Sequence, residues 1–291
     1  MKPVATKWIY LIALSLVWGS SFILMKYALV GLDPMQVGAL RIIITALFLI
    51  AVGFKSMLNL ATKDWYYIAI SAVLGTLFPV FLFAVAIDNM DSAIAAILNS
   101  FTPFNALIIG AIFFGFSFQR RQVLGIVIGL VGTILLILNG NGIGSLGDYY
   151  YPSFILIASV GYAFNVNIIK KQLQDVKPLA ITAGTFVVVL IPALIILINT
   201  GFFNEFEATP EIKKSLLFII ILSVVGTAIA KTFFNKLVQI SSPIFSTSVT
   251  YLIPIVAVFW GVLDGEKLTL FQLFSGVIIL LGVYLVNRAK N

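Results

Sequence analysis

The sequence predicts an all-α membrane protein of ten transmembrane helices, arranged as two inverted five-helix repeats. Three observations support this fold class: an apolar composition, a series of long apolar runs, and a repeat at constant offset. Of the 291 residues, 61% are apolar and only 10% are charged. A soluble domain usually carries about a quarter charged residues, so this chain lacks the polar surface to cover itself in water.

Apolar runs occupy nearly the whole length, and each is close to the roughly 20 residues that a transmembrane helix needs. They cover residues 8–27, 35–54, 65–87, 92–115, 122–139, 150–169, 179–201, 215–236, 243–262 and 269–287. Shorter, alternating segments would be expected of a membrane β-barrel. Pro34, Pro152 and Pro178 stand near the starts of runs, where the missing N–H of proline does no harm. The runs are therefore interpreted as helices.

The charged residues between the runs predict the orientation. If both termini are cytoplasmic, twelve of the 18 Lys and Arg residues lie inside and four lie outside. Lys and Arg prefer cytoplasmic loops, so both termini are predicted to face the cytoplasm. The net charge of +7 then follows from topology, and no nucleic-acid partner is expected.

A repeat divides the chain into predicted halves at residues 1–144 and 145–291. An offset of 151 superposes six residues of one half on identical residues of the other. These are Gly75-Thr76 on Gly226-Thr227, Phe83 on Phe234, Pro103 on Pro254, Gly110 on Gly261 and Gly125 on Gly276. Near the start of each half the offset is 144, which places Trp18 on Tyr162 and Lys26 on Lys170. Because five spans is an odd number, the second half would enter the membrane inverted, as in many transporters.

The residue types exclude several kinds of chemistry. The chain has no cysteine and no histidine, which removes disulfides, thiol catalysis, thiolate metal sites and the commonest metal ligand. No Asp or Glu lies deep in any run. An intramembrane enzyme needs clustered nucleophiles, metal ligands or acid–base pairs, so neither an enzyme nor a bound cofactor is expected.

Six residues are predicted to line a central substrate-binding cavity, because polar and aromatic side chains recur at matching heights of the two halves. They are Trp18, Asn99, Tyr162, Asn165, Lys231 and Tyr251. A charge inside a bilayer costs about 2.5–3.5 kcal/mol on insertion scales, and only Arg41 and Lys231 lie well inside a run, away from its ends. A snorkelling or structural role is favoured for Arg41. For Lys231, snorkelling and a cavity role stay open.

Three segments resemble the EamA-type members of the drug/metabolite transporter superfamily. They are residues 16–22 (LVWGSSF) followed by Lys26, then Arg41, and finally Pro254 followed by residues 265–268 (GEKL), Gly276 and Gly282. The resemblance covers both halves. It implies a ten-helix inner-membrane carrier that works by alternating access, with a cavity formed mainly by the first, third, fourth, sixth, eighth and ninth helices.

The chain departs from that family pattern in two places. Glu266 ends the fourth helix of the second half, but residues 115–117 (GFS) stand at the matching position of the first half. Arg41 has Thr185 as its counterpart at offset 144. The two halves have therefore diverged, and their gates need not be equivalent.

The expected function is secondary transport of small polar metabolites, such as amino acids or organic acids, with export as the favoured direction. Organic cations are disfavoured because a desolvated cation needs a buried carboxylate. The expected partners are a small-molecule substrate, the lipid bilayer, and either a coupled proton or an exchanged solute. A lipid flippase, a multidrug exporter of the same fold and a channel remain alternatives. The sequence does not indicate the oligomeric state.

Overall fold

The structure, a computed structural model, describes residues 3–89, 95, 96, 98–138, 150–204, 207–263 and 270–288. The predicted boundary between the halves at 144, and residues 265–268 with Glu266, lie outside the described residues. Within the described ranges the secondary structure is helical, with no strand. This agrees with the predicted all-α class.

The described chain forms a series of long helices that follow the predicted apolar runs. The helices are α1 (Pro3–Ala28), α2 (Pro34–Met57), α3 (Thr62–Asn89), α4 (Asn99–Phe114), α5 (Arg120–Leu138), α6 (Tyr150–Gln172), α7 (Pro178–Asn199), α8 (Pro210–Ile240), α9 (Pro243–Thr247), α10 (Val249–Leu263) and α11 (Leu270–Arg288). In the described part, α1, α2, α3, α6, α7 and α8 are long and apolar enough to cross a membrane, and shorter apolar helices accompany them. The chain is a multi-pass membrane protein, while the count of ten spans and the inversion of the halves stay predictions.

Local sequence signals account for several helix ends. Proline stands in the first turn of several described helices, among them Pro34, Pro152, Pro178, Pro210 and Pro243. Its fixed φ suits a helix start, where its missing N–H has no partner to lose. At the other end, α4 stops at Gly115 (φ 67°) and α7 is followed by Gly201 (φ 72°). Both glycines adopt the left-handed conformation that satisfies the last carbonyls of a helix.

Two helices contain a wider turn near their middle. α3 forms a π turn at Val73–Leu77, and α8 forms one at Val224–Ile229. The offset of 151 places the start of the first turn on the start of the second. A π turn closes i→i+5 hydrogen bonds, and such turns are frequent at functional sites.

The main helix contacts join the two predicted halves. α2 packs on α7, α5 on α11, α1 on α8 and α10, and α6 on α3 and α4. In the predicted repeat α6 is the counterpart of α1, and α8 and α10 are the counterparts of α3 and α4. Each half therefore contributes one helix that packs between two helices of the other half.

Glycines let α5 and α11 approach closely. A Cβ on Gly282 would lie 2.5 Å from the Gly129 nitrogen, and one on Gly125 would lie 2.7 Å from the Gly282 oxygen. Glycines allow membrane helices to pack closely, and the sequence places Gly125, Gly129 and Gly132 on α5 and Gly276 and Gly282 on α11. Gly276 is different, because a Cβ there would meet no atom of the described residues within 4 Å. Gly276 therefore takes no part in the close packing of α5 and α11.

This difference offers a matched pair of substitutions. Gly282→Ala should lower the midpoint of thermal unfolding of the detergent-purified protein, because overpacking against backbone atoms costs about 1–3 kcal/mol. Gly276→Ala should leave the midpoint unchanged or raise it slightly, since alanine favours the helix over glycine. Equal midpoints for the two variants would contradict the close approach of α5 and α11.

Candidate functional site

A cavity of about 140 Å³ lies where helices of the two predicted halves meet. Its walls come from α1, α3, α4, α6, α8, α9 and α10, together with Arg41 of α2 and Phe186 of α7. The family resemblance implied most of these helices. The contributions of α2 and α7 were not expected.

Most of the residues predicted from the sequence meet at this cavity. Trp18, Asn99, Tyr162, Asn165 and Lys231 all line it. Their role in binding a substrate stays a prediction.

Tyr251 does not line the cavity, so its predicted placement is wrong. Its side chain is fully buried, and its hydroxyl donates to the backbone oxygen of Ile126 on α5 at 3.0 Å. Thr247 and Thr250 do line the cavity. One residue further along a helix is a rotation of about 100°, which turns Tyr251 away from the threonines and toward α5.

Each π turn carries a Gly-Thr pair that receives hydrogen bonds from other helices. In the α3 turn, Lys231 Nζ donates to the Gly75 oxygen at 2.9 Å and to Thr76 Oγ1. In the α8 turn, the indole N–H of Trp18 donates to the Gly226 oxygen at 3.0 Å. Both pairs line the cavity.

Arg41 reaches the second of these pairs. Its Nε donates to Thr227 Oγ1 at 2.8 Å, and the threonine hydroxyl in turn donates to the Leu222 oxygen at 2.8 Å. Lys231 of the second predicted half thus donates hydrogen bonds to the first half, and Arg41 of the first half donates one to the second. Of the two roles favoured for Arg41, snorkelling toward an interface is not what the structure shows, because the side chain lines the cavity and bonds to Thr227.

Two aromatic pairs form part of the cavity wall. Trp18 lies against Phe234, with ring centroids 5.1 Å apart, and Tyr162 lies against Phe83 at 5.9 Å. The offset of 144 relates Trp18 to Tyr162, and the offset of 151 relates Phe83 to Phe234. The two pairs therefore occupy equivalent positions in the two predicted halves. The wall therefore repeats between the halves in its aromatic contacts.

Two buried asparagines complete the polar part of the lining. The Asn165 amide nitrogen donates to Ser71 Oγ and to the Ser71 backbone oxygen on α3. The Thr102 hydroxyl is shared between the Asn99 backbone oxygen at 2.6 Å and Asn99 Oδ1 at 3.2 Å. These bonds hold both amides in place at the cavity.

The charge of the lining is one-sided. Arg41 and Lys231 line the cavity, and no Asp or Glu does so among the residues that the structure describes. Sequence reasoning missed Thr76, Thr227 and the cavity position of Arg41. The signal for the threonines was present, since Gly-Thr is the one dipeptide that recurs at the repeat offset of 151.

Comparison with known proteins identifies a family. The model of the EamA-like transporter family matches the chain twice, at residues 6–138 and 151–288. The chain is 24% identical over 290 residues to the inner membrane transporter YedA of Escherichia coli K12, covering 96% of this chain and 90% of that protein. It is 26% identical over 281 residues to a probable amino-acid metabolite efflux pump of Salmonella typhimurium, covering 92% and 90%.

Two further similarities cover nearly the whole chain. An S-adenosylmethionine/S-adenosylhomocysteine transporter of Chlamydia trachomatis is 24% identical over 301 residues, covering 99% of this chain and 91% of that protein. A solved crystal structure superposes with a TM-score of 0.76 over 99% of both chains at 16% identity. At that identity the structural match shows the fold alone.

Proposed function

Because this chain belongs to the EamA-like transporter family, we propose that it is a secondary transporter of small polar metabolites, with amino acids and organic acids as the substrate class. The substrate would bind in the cavity between the two halves. Its proposed location is the inner membrane, with both termini in the cytoplasm. Trp18, Asn99, Tyr162, Asn165 and Lys231 are the proposed binding residues.

The composition of the cavity lining carries this proposal. Two cationic side chains and several neutral polar groups line the space, and no carboxylate opposes them among the described residues. A charge in a low-dielectric site is costly unless an opposite charge meets it. A solute that bears a carboxylate supplies that charge. The amino-acid metabolite efflux pump among the relatives supports the same substrate class.

The repeat supports an alternating-access mechanism. Two inverted halves give two related ways to open a central site, one toward each side of the membrane. The double match of the family model and the repeated Trp18–Phe234 and Tyr162–Phe83 contacts both support inverted halves. The π turns of α3 and α8 are the proposed bending points, because they interrupt the regular helix at matching positions.

Counterflow into proteoliposomes tests the proposed function. Vesicles preloaded with an unlabelled solute should accumulate the same labelled solute transiently, because a carrier exchanges the two. The panel would contain amino acids, organic acids, nucleosides and amines. Exchange of carboxylate-bearing solutes and none of simple amines is expected. Flux without counterflow would indicate a channel, and exchange of amines alone would contradict the substrate class.

A further inference from the structure

The two cations of the cavity differ in how many of their donors the protein uses. Lys231 Nζ donates to the Gly75 oxygen and to Thr76 Oγ1, so two of its three protons are committed to the α3 π turn. Arg41 donates through Nε alone, to Thr227 Oγ1. Its Nη1 and Nη2 groups make no hydrogen bond to any residue in the described part of the chain. The side chain with most donors left for a ligand is therefore Arg41.

Thr227 is arranged to hold the guanidinium in one orientation. The threonine hydroxyl donates its own proton to the Leu222 oxygen at 2.8 Å, which leaves its lone pairs to accept from Arg41 Nε. The hydroxyl therefore acts toward Arg41 only as an acceptor. With Nε fixed in this way, the two Nη groups form a planar fork on a side chain that lines the cavity.

We propose that Arg41 is the anchor for the substrate's carboxylate, with Nη1 and Nη2 binding the two carboxylate oxygens side by side. Thr227 is then a positioning residue, and Lys231 holds the α3 π turn with two of its donors while its third donor and its charge face the same carboxylate. The assignment rests on the proposed function, since it names the group in the same cavity that recognises the same solute. Arginine forms such paired bonds to planar carboxylates, whereas lysine offers a point charge.

The assignment predicts which solutes the protein accepts. A carboxylate fits the fork, and the corresponding neutral amide does not, because its NH₂ group would place donors against donors. We therefore expect discrimination between an acid and its amide to depend on Arg41. Contacts with the uncharged parts of the solute would contribute equally to both, and the point charge of Lys231 would add to the preference without the paired geometry.

The test compares acids with their amides in proteoliposomes. The probes are phenylalanine, threonine and succinate, each with its amide, as competitors of the solute that the wild-type protein exchanges in counterflow. Wild type should prefer at least one acid over its amide by roughly tenfold or more. Arg41→Gln should lose most of that preference, and Arg41→Lys should recover only part of it. Thr227→Val should raise KM several-fold with a smaller change in kcat, because the anchor remains but its orientation is lost.

Thr232→Val is the matched control for Thr227→Val. Thr232 lies on the same helix, does not line the cavity, and its hydroxyl donates to the Ala228 oxygen and to no other described residue. Its transport should equal that of wild type. All variants are first checked for a single symmetric peak in size-exclusion chromatography.

The outcomes separate this assignment from the proposed function. If the wild-type protein exchanges no member of the larger panel, the proposed function fails. If wild type exchanges carboxylates and well-folded Arg41→Gln keeps the full preference for acids over amides, the anchor assignment alone is overturned. Equal exchange of acids and amides by wild type overturns it as well.

Discussion

Replacing Lys231 with methionine is expected to weaken the apparent affinity for carboxylate substrates while leaving the protein folded. The substitution keeps the length and apolar stem of the side chain but removes the positive charge and the bond to the Gly75 oxygen. A hydrogen bond to a charged group contributes about 1.5–3 kcal/mol. Lys231 would give its third donor and its charge to the carboxylate that Arg41 anchors, so losing this bond should raise the apparent Kd roughly 10- to 150-fold, measured by exchange at varied substrate concentration.

Two further variants make the Lys231 result specific. Lys231→Arg keeps the charge and should rescue only part of the affinity, because the larger guanidinium does not fit the same place beside Gly75 and Thr76. Lys236→Met removes an exposed lysine five residues further along α8 and should transport like wild type. If Lys231→Met transports carboxylates as well as wild type, the lysine has only a structural role at the π turn.

Gly161→Ala is expected to have the largest effect on stability. A Cβ at this position of α6 would lie 2.2 Å from the backbone oxygen of Leu74 in the α3 π turn. Close carbon-to-oxygen contacts in proteins lie near 3.3–3.6 Å, so α3 and α6 would have to separate by about 1 Å. Overpacking costs about 1–3 kcal/mol and occasionally more, and a backbone oxygen has little freedom to move aside. We expect a large fall in folded yield and loss of transport.

Gly184→Ala provides the matched control for this substitution. A Cβ at Gly184 would lie 3.3 Å from a methyl group of Ile68, which can shift by a few tenths of an ångström. The yield and the thermal midpoint in detergent should stay close to those of wild type. Equal behaviour of the two alanine variants would show that α3 and α6 do not pack through Gly161.

The sequence predicted the fold class because hydropathy is set by residue type alone. An apolar run of about 20 residues has few alternatives to a membrane helix, whatever its neighbours are. The repeat could likewise be found from residue types alone, because identical residues recur at a constant offset. Gly276 and Gly282 show that residue type alone does not predict the packing of a residue. Both are glycines on α11, yet only Gly282 meets a neighbouring backbone, and that depends on tertiary packing.

The site was harder to predict because it depends on which way each side chain points. Tyr251 and Thr250 are adjacent polar residues, and the helix rotation that separates their environments is invisible without the position of α5. The reach of Arg41 could not be predicted from its place in α2, since a long side chain extends toward whatever polar partner the fold provides. The partner is Thr227, in a π turn that hydropathy does not reveal.

The packing of each half mainly on helices of the other half affects how the protein folds during synthesis. Synthesis delivers α1 to α5 first, but the main partners of α1, α2 and α5 are α8, α10, α7 and α11. Until those helices are inserted, Arg41 lacks Thr227 and the Gly75 oxygen lacks Lys231. Contacts so distant in the chain form late and slowly, and polar groups without partners are costly inside a bilayer. The nascent first half is therefore an unfinished intermediate that depends on the arrival of the second, and a chain terminated after α5 would be left with these groups permanently unpaired.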